Sequence, residues 1–174
     1  KQTQKLNFLI QSLVKTSRLE TGTFQLNPKK NSLHDLIVRS IEALKIKANN
    51  KKITINYVKT DEEAIFDIKW TTEALCNILD NAIKYSDEKG TIDILVEPYE
   101  MFVDICIKDN GIGILEDEIE KIFGRFYRGT NVVEDEGTGI GLYLAREIIE
   151  KQGGYIYAES VVGKGSVFKI CIPK

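Results

Sequence analysis

Apolar residues at Leu6, Leu9, Ile10, Leu13 and Val14 recur at the spacing of one helix face, and the segment ends at SRLETG, where Gly22 follows the last turn. This predicts an amphipathic helix whose stripe packs outside the domain, in a helical bundle or dimerisation element, or else folds back on its own domain. After Pro28, NSLHDLIVRSIEALKIKANN reads as a second helix, with Ser32 and Asp35 in capping-box spacing and Leu33, Leu36, Ile37, Ile41, Leu44 and Ala48 on one face. Asn49 and Asn50 end it. ITINYV and EAIFDI read as strands, and a helix follows from about Trp70 to Tyr85. TIDILVEPYE and FVDICIKD alternate as a hairpin should, with Pro98 marking an edge or bulge near the turn. A long irregular segment, Asn110 to Thr138, precedes a helix from about Gly139 to Gln152 that Gly153 and Gly154 stop, and YIYAESV and SVFKICI close the chain as strands. Helices segregated onto one antiparallel-rich sheet predict an α+β, two-layer α/β sandwich.

Composition bounds what such a fold can be. The 174 residues, 43% hydrophobic and 29% charged, suffice for one globular domain and a short appendage. A net charge of −2 without a basic tract argues against a nucleic-acid surface. Cys76, Cys106 and Cys171 are odd in number and embedded in apolar runs, so they read as buried, reduced thiols. No apolar run reaches the roughly 18 residues of a membrane helix. Together with a first residue, Lys1, that is neither a start methionine nor part of a signal peptide, this predicts a soluble piece of something longer.

Candidate chemistry begins in the helix LCNILDNAIKYS. At 100° per residue, Leu75, Ile78, Leu79, Ala82 and Ile83 share one side, and Asn77, Asn81 and Lys84 share the other. A solvated face is the plain reading, but asparagine is a mediocre helix former that solvent alone does not call for. Two amides and an ammonium converging point instead to a hard cation such as Mg²⁺ and to phosphate.

Three glycine clusters bear on the same question. DNGIGI places Gly111 and Gly113 after a strand that ends on Asp109, so that a flat group can approach the backbone while the carboxylate accepts a hydrogen bond. EGTGIGL runs straight into a helix, leaving free N–H groups and the helix dipole to face an anion. VGKGS, Val162 to Ser166, offers a tight turn that an ordinary hairpin would equally explain. None of these is a phosphate loop of the Walker type or a dinucleotide fingerprint.

In order, NILDNAIKYS, DNGIGI, KIFGRFYRG, EGTGIGL and GKGS closely resemble the asparagine, first glycine, phenylalanine, second glycine and third glycine boxes of bacterial two-component sensor histidine kinases. The resemblance covers residues 25–174, the ATP-binding catalytic domain, and LNFLIQSLVKTSRLETG looks like the end of the second helix of a preceding dimerisation domain, within residues 1–24. It implies the Bergerat-type sandwich shared with gyrase and heat-shock chaperone ATPases, with a mobile lid over ATP. By the same resemblance Asn81 binds Mg²⁺, Asn77 helps hold the metal's waters and the phosphates, and Lys84 reaches the phosphate chain. Tyr85 packs beside the sugar and base, and Asp109 accepts from the adenine amino group, with Gly111 and Gly113 giving the base room and Ser166 at the same pocket end. Phe123 and Phe126 anchor the lid, although either could be plain core, and Arg128 sits near the γ-phosphate. Gly137, Thr138, Gly139, Ile140, Gly141 and Leu142 bind nucleotide as the start of the phosphate-binding helix, the three glycines also forming the lid hinge.

The implied reaction is γ-phosphoryl transfer from Mg-ATP to a histidine on the protein's own dimerisation domain, for relay to a response regulator. The implied setting is a homodimeric full-length protein in the cell membrane through upstream segments, with this part cytoplasmic. His34 mimics the acceptor motif in HDL, but Arg39 stands where a proline is expected and the residue follows the dimerisation helix. It reads instead as a partly exposed histidine in a capped first turn. Three alternatives stay open: an ATPase of the gyrase and chaperone type, an anti-sigma serine kinase, and a non-enzymatic ATP-sensing module. The first two tend to carry an acid one turn before the metal asparagine, where this chain has Asn77.

Overall fold

The computed structural model of the chain describes residues 25–130 and 137–174, together with Ile10, Gln11, Leu13, Val14, Ser17 and Thr21. Most of the predicted first helix, Leu6 and Leu9 included, therefore lies outside the described residues. Ile10, Leu13 and Val14 are helical, and Ile10 and Val14 are half-exposed.

Strand β1 (Lys29–Ser32) leads directly into helix α1 (Leu33–Asn50). The Ser32 side chain accepts from the Asp35 N–H, so the predicted cap is in place. Strands β2 (Thr54–Tyr57) and β3 (Glu63–Phe66) follow, and then helix α2 (Ile68–Tyr85). That helix starts two residues earlier than the periodicity implies. Asp67, expected at the end of a strand, instead caps the helix by accepting from the Trp70 N–H at 3.1 Å. Strands β4 (Thr91–Pro98) and β5 (Phe102–Asp109) form the predicted hairpin. Two short 3-10 turns, Glu116–Glu118 and Lys121–Phe123, punctuate the irregular segment. Helix α3 (Gly141–Glu150) and strands β6 (Tyr155–Val161) and β7 (Gly165–Pro173) complete the chain. Helix α3 starts two residues later than expected, because Gly139 has φ +70°, which no right-handed helix accommodates.

The main sheet has five strands in the order β2-β4-β5-β7-β6, with β2 and β4 parallel and every other neighbour antiparallel. β1 and β3 pair separately as a two-stranded ribbon. β1 went unpredicted because KKNS carries no alternating pattern; its partner strand supplies the ladder. The register aligns Ile94, Ile107, Phe168 and Ala158 across one face of the sheet. That face packs on the helices, with Leu36 and Ile37 of α1, Leu75, Ile78 and Leu79 of α2 and Ile148 of α3 fully buried. The opposite face carries Cys106 and Cys171, both buried and free, whereas Cys76 is only half-buried. Burial first of all pushes the Cys106 thiol up to about 12, which makes it a poor nucleophile. Among the described residues no helix is long and apolar enough to cross a membrane.

His34 sits in the first turn of α1, where its Nδ1 lies 3.1 Å from the Tyr57 hydroxyl and its ring stacks on that of Tyr57. Its contacts are those of a local structural pair.

Candidate functional site

Helix α2 forms one wall of a deep cleft. Because its apolar stripe is buried, Asn77, Asp80, Asn81, Lys84 and Tyr85 are turned together into an opening of about 1050 Å³, solvent mouth included. The Asn77 side-chain nitrogen is buried with no hydrogen-bond partner among the described residues. A buried amide left unsatisfied costs about 1–3 kcal/mol, so it marks a place where a ligand's acceptor belongs. The Lys84 ammonium lies 2.7 Å from the Tyr85 hydroxyl and 4.4 Å from its ring centroid. Lys51 of the neighbouring loop donates to the Ile83 and Lys84 carbonyls, closing the C-terminal end of α2 with a cation where the helix dipole favours one.

The N-terminus of α3 faces this wall. Its N-cap residue, Ile140, has no side chain that can cap it, so the positive end of the helix dipole is turned toward any anion in the cleft. A Cβ on Gly141 would sit 3.4 Å from the Asn77 side-chain oxygen, and one on Gly137 would sit 2.8 Å from the Lys84 nitrogen. The orphaned amide, the ammonium and the uncapped helix therefore meet at one end of the cleft, a set suited to polyphosphate.

The other end is the mouth of β5 and β7. Asp109 is 5% exposed, and one of its oxygens accepts from the N–H groups of Gly111 at 2.9 Å and Ser166 at 3.2 Å. Burial pushes its carboxyl above the ordinary aspartate range, and the two backbone donors pull it part of the way back. One N–H to each side of the same oxygen fixes the side chain, leaving the second oxygen able to accept from a ligand's amino group. Gly165 allows this junction. Its φ is +98°, and a Cβ there would lie 2.1 Å from the Asp109 carbonyl oxygen. Gly113 and Ile114 line the same end with Phe168 behind them, apolar surfaces against which a flat base can stack.

Of the residues that the sequence reading brought forward, Asn77, Asn81, Lys84, Tyr85, Asp109, Gly113, Arg128, Gly137, Thr138, Gly139, Gly141, Leu142 and Ser166 line this cleft. Three do not. Gly111 lies behind it, packed so that a Cβ would meet the Tyr85 carbonyl oxygen at 2.4 Å. Ile140 is buried at the start of α3. Phe126, at φ +63° and 52% exposed, turns its ring outward and holds the segment through its N–H, which donates to the Gly139 carbonyl at 2.9 Å. Phe123, by contrast, is buried edge-on against Phe168. The sequence reading missed Asp80, Glu118, Ile122 and Tyr127, which also line the cleft. Asp80 was legible from helical spacing beside Asn77 and Asn81; the others sit on irregular backbone, where no period applies. Residues 131–136, within the irregular segment before α3, lie outside the described residues.

The donors fit a hard cation as well as phosphate. No group of three His, Cys, Asp or Glu side chains among the described residues could cage a metal, whereas Mg²⁺ is commonly held by one or two protein oxygens and the phosphates of its nucleotide. The Asn81 amide oxygen can serve as one of them.

Comparison with known proteins agrees with this geometry. Residues 66–174 match the family model described as histidine kinase-, DNA gyrase B-, and HSP90-like ATPase. The sensor histidine kinase WalK of Bacillus subtilis is 33% identical over 99% of this chain and 29% of its own length. The catalytic domain of histidine kinase ThkA superposes with a TM-score of 0.75 at 30% identity, over 85% of this chain and 96% of that one. ThkA in complex with the response regulator protein TrrA superposes with a TM-score of 0.75 at 26% identity, over 97% of this chain and 49% of that one. This chain thus spans about three tenths of the length of the curated relatives it matches. It belongs to the histidine kinase-, DNA gyrase B- and HSP90-like ATPase family, whose sandwich fold it shares.

Proposed function

We propose that this chain is the ATP-binding catalytic domain of a sensor histidine kinase. Residues 25–174 bind ATP, and residues 1–24 end the second helix of a dimerisation domain, through which the whole protein is a homodimer. A histidine on that domain receives the γ-phosphoryl group and passes it to an aspartate of a response regulator, the kind of partner with which ThkA was captured. The whole protein is held in the cell membrane by upstream segments, with this part in the cytoplasm.

In this reading Asp109 accepts from the adenine amino group, which its fixed geometry and free second oxygen suit. Tyr85 lies beside the sugar, and Lys84 and the N-terminus of α3 hold the phosphate chain. Arg128 places a guanidinium where negative charge gathers on the γ-phosphoryl oxygens. Asn81 would hold Mg²⁺, which would supply positive charge to offset that of the phosphates. The incoming histidine nitrogen forms a bond to the γ-phosphorus as the bond to the bridging oxygen breaks, and ADP leaves. The chain supplies position and charge for that step.

The observation that carries the reading is Asn77, a buried amide with an unpartnered nitrogen beside the phosphate-binding helix. An amide can hold a water or a phosphate oxygen, but it cannot take a proton at neutral pH, so ATP is retained until a histidine arrives. The test is to mix the chain with a separate dimerisation fragment bearing the histidine and with γ-labelled ATP. Acid-labile label is expected on the fragment and none on this chain alone; label on the isolated chain that His34→Ala removes overturns the assignment. The hydrolase alternative is tested by Asn77→Asp, which is expected to raise ATP hydrolysis where Asn77→Ala does not, with binding measured alongside. Brisk hydrolysis by the unaltered chain, insensitive to Asn77, would instead favour the hydrolase.

A further inference from the structure

A carboxylate is a poor neighbour for a polyphosphate, yet besides Asp109 a second one is buried in the wall of this cleft. Glu118 is 2% exposed, while Glu116, Asp117 and Glu120 around it are exposed to solvent. It lines the cleft beside Tyr127, Arg128 and Gly129. One of its oxygens accepts from the Thr130 N–H at 2.9 Å, and its second oxygen is buried with no hydrogen-bond partner among the described residues. The Tyr127 hydroxyl faces the same carboxylate; burial first, and Glu118 second, push that phenol above its ordinary range. The Thr130 N–H more than any other group holds Glu118 below the usual glutamate range, so the side chain stays ionised at neutral pH.

These contacts enclose Arg128. Upstream, the Phe126 N–H is tied to the Gly139 carbonyl and the Tyr127 N–H to the Gly124 carbonyl. Downstream, the described backbone is tied to Glu118 at Thr130, two residues beyond the arginine. The stretch contains no helix or strand to hold its shape, so these three ties help to set where the Arg128 backbone, and with it the guanidinium, can go. A charged acceptor makes the downstream tie about twice as strong as a neutral one, which accounts for a carboxylate at this place in the cleft.

We propose that Glu118 is a positioning residue: by holding Tyr127 and Thr130 it keeps the Arg128 guanidinium in the cleft and so sets the preference for a nucleoside triphosphate over the diphosphate. The proposal rests on the reading given above, in which Arg128 meets the γ-phosphate. It assigns to Glu118 no contact with nucleotide or metal of its own.

The test titrates the whole chain with Mg-AMPPNP and Mg-ADP by calorimetry. Glu118→Ala is expected to weaken AMPPNP about tenfold, as loss of one charge-assisted phosphate contact would, and to leave ADP within about twofold. Glu118→Gln, whose amide oxygen still accepts from Thr130, should recover most of the difference. Arg128→Ala should show the same triphosphate-only loss, and adding Glu118→Ala to it should cost nothing further. Tyr127→Phe, which leaves the Thr130 tie intact, should give a smaller loss of the same kind and serves if Glu118→Ala does not fold. Equal losses for both nucleotides, additivity with Arg128→Ala, or no loss at all would overturn the proposal. Loss of Mg²⁺ dependence for both nucleotides in Glu118→Gln would overturn it too, by making Glu118 a metal ligand. If Arg128→Ala itself does not distinguish the nucleotides, the reading beneath the proposal fails, and the proposal with it.

Discussion

The two walls of the cleft hold their functional groups by different physics. On the helical wall, Asn77, Asn81 and Lys84 ride on the 18 residues of α2, whose other side buries Leu75, Ile78, Leu79, Ala82 and Ile83 almost completely. The apolar stripe stabilises that helix whether or not a ligand is present, and the backbone then dictates where each polar side chain points. On the loop wall, Asp109, Glu118 and Arg128 depend on turns, positive-φ residues and single hydrogen bonds that cross between distant segments. There the contacts that shape the site are also the contacts that hold the backbone. Substitutions on the helical wall should therefore separate binding from stability, and substitutions on the loop wall should mix the two.

The largest effect expected is on the helical wall. Asn81→Ala removes the proposed Mg²⁺ ligand and should lower Mg-dependent ATP affinity by roughly a hundredfold or more, with a melting temperature within about 2 °C of the parent. Calorimetry and thermal melting on one sample decide it, and a large loss of stability would break the comparison. On the loop wall, Gly165→Ala forces a side chain into a φ of +98° and against the Asp109 carbonyl. A loss of about 2–4 kcal/mol in chemical denaturation is expected, with nucleotide binding failing alongside.

Asp109→Asn sharpens the contrast, because it keeps the shape and removes the charge. ATP affinity at neutral pH should fall about tenfold. The folded-state pKa of Asp109 lies above its unfolded value, so as pH rises the unfolded chain gives up this proton first. The buried charge thus costs stability at neutral pH, a cost that is absent below the ordinary aspartate pKa and complete once the pH passes the folded value. The asparagine variant should be at least as stable as the parent at pH 7. The parent's ATP affinity should weaken as pH falls through the raised pKa, and the variant's should not; identical profiles would remove Asp109 from the adenine contact. The smallest effect belongs to Lys47, whose ammonium pairs with Asp80 at the edge of the helical wall, both side chains partly exposed. Lys47→Ala should cost under about 1 kcal/mol and change ATP affinity less than about threefold.

Much of this molecule was legible before folding because the signals are short-ranged. Period 3.6 marked α1 and α2, period 2 marked the β4–β5 hairpin, and the Ser32 cap lies three residues from the N–H it accepts. The spacing of Asn77, Asn81 and Lys84 on one helix face fixed their convergence, since four residues along a helix return to the same side whatever surrounds it. The order of the glycine and asparagine boxes carried the family.

Other features had no local cause to read. KKNS became a strand only because EAIF lay beside it, and β2 joined β4 in parallel across an intervening helix. Asp109 is held by Ser166, 57 residues away, and Glu118 differs from Glu116 only in what the fold brings over it. Asp67 reads as a strand residue until the helix it caps has a core to pack on. Pairing, burial and the shift of a carboxyl's pKa depend on which distant groups remove water from a residue, and that is settled when the chain closes on itself.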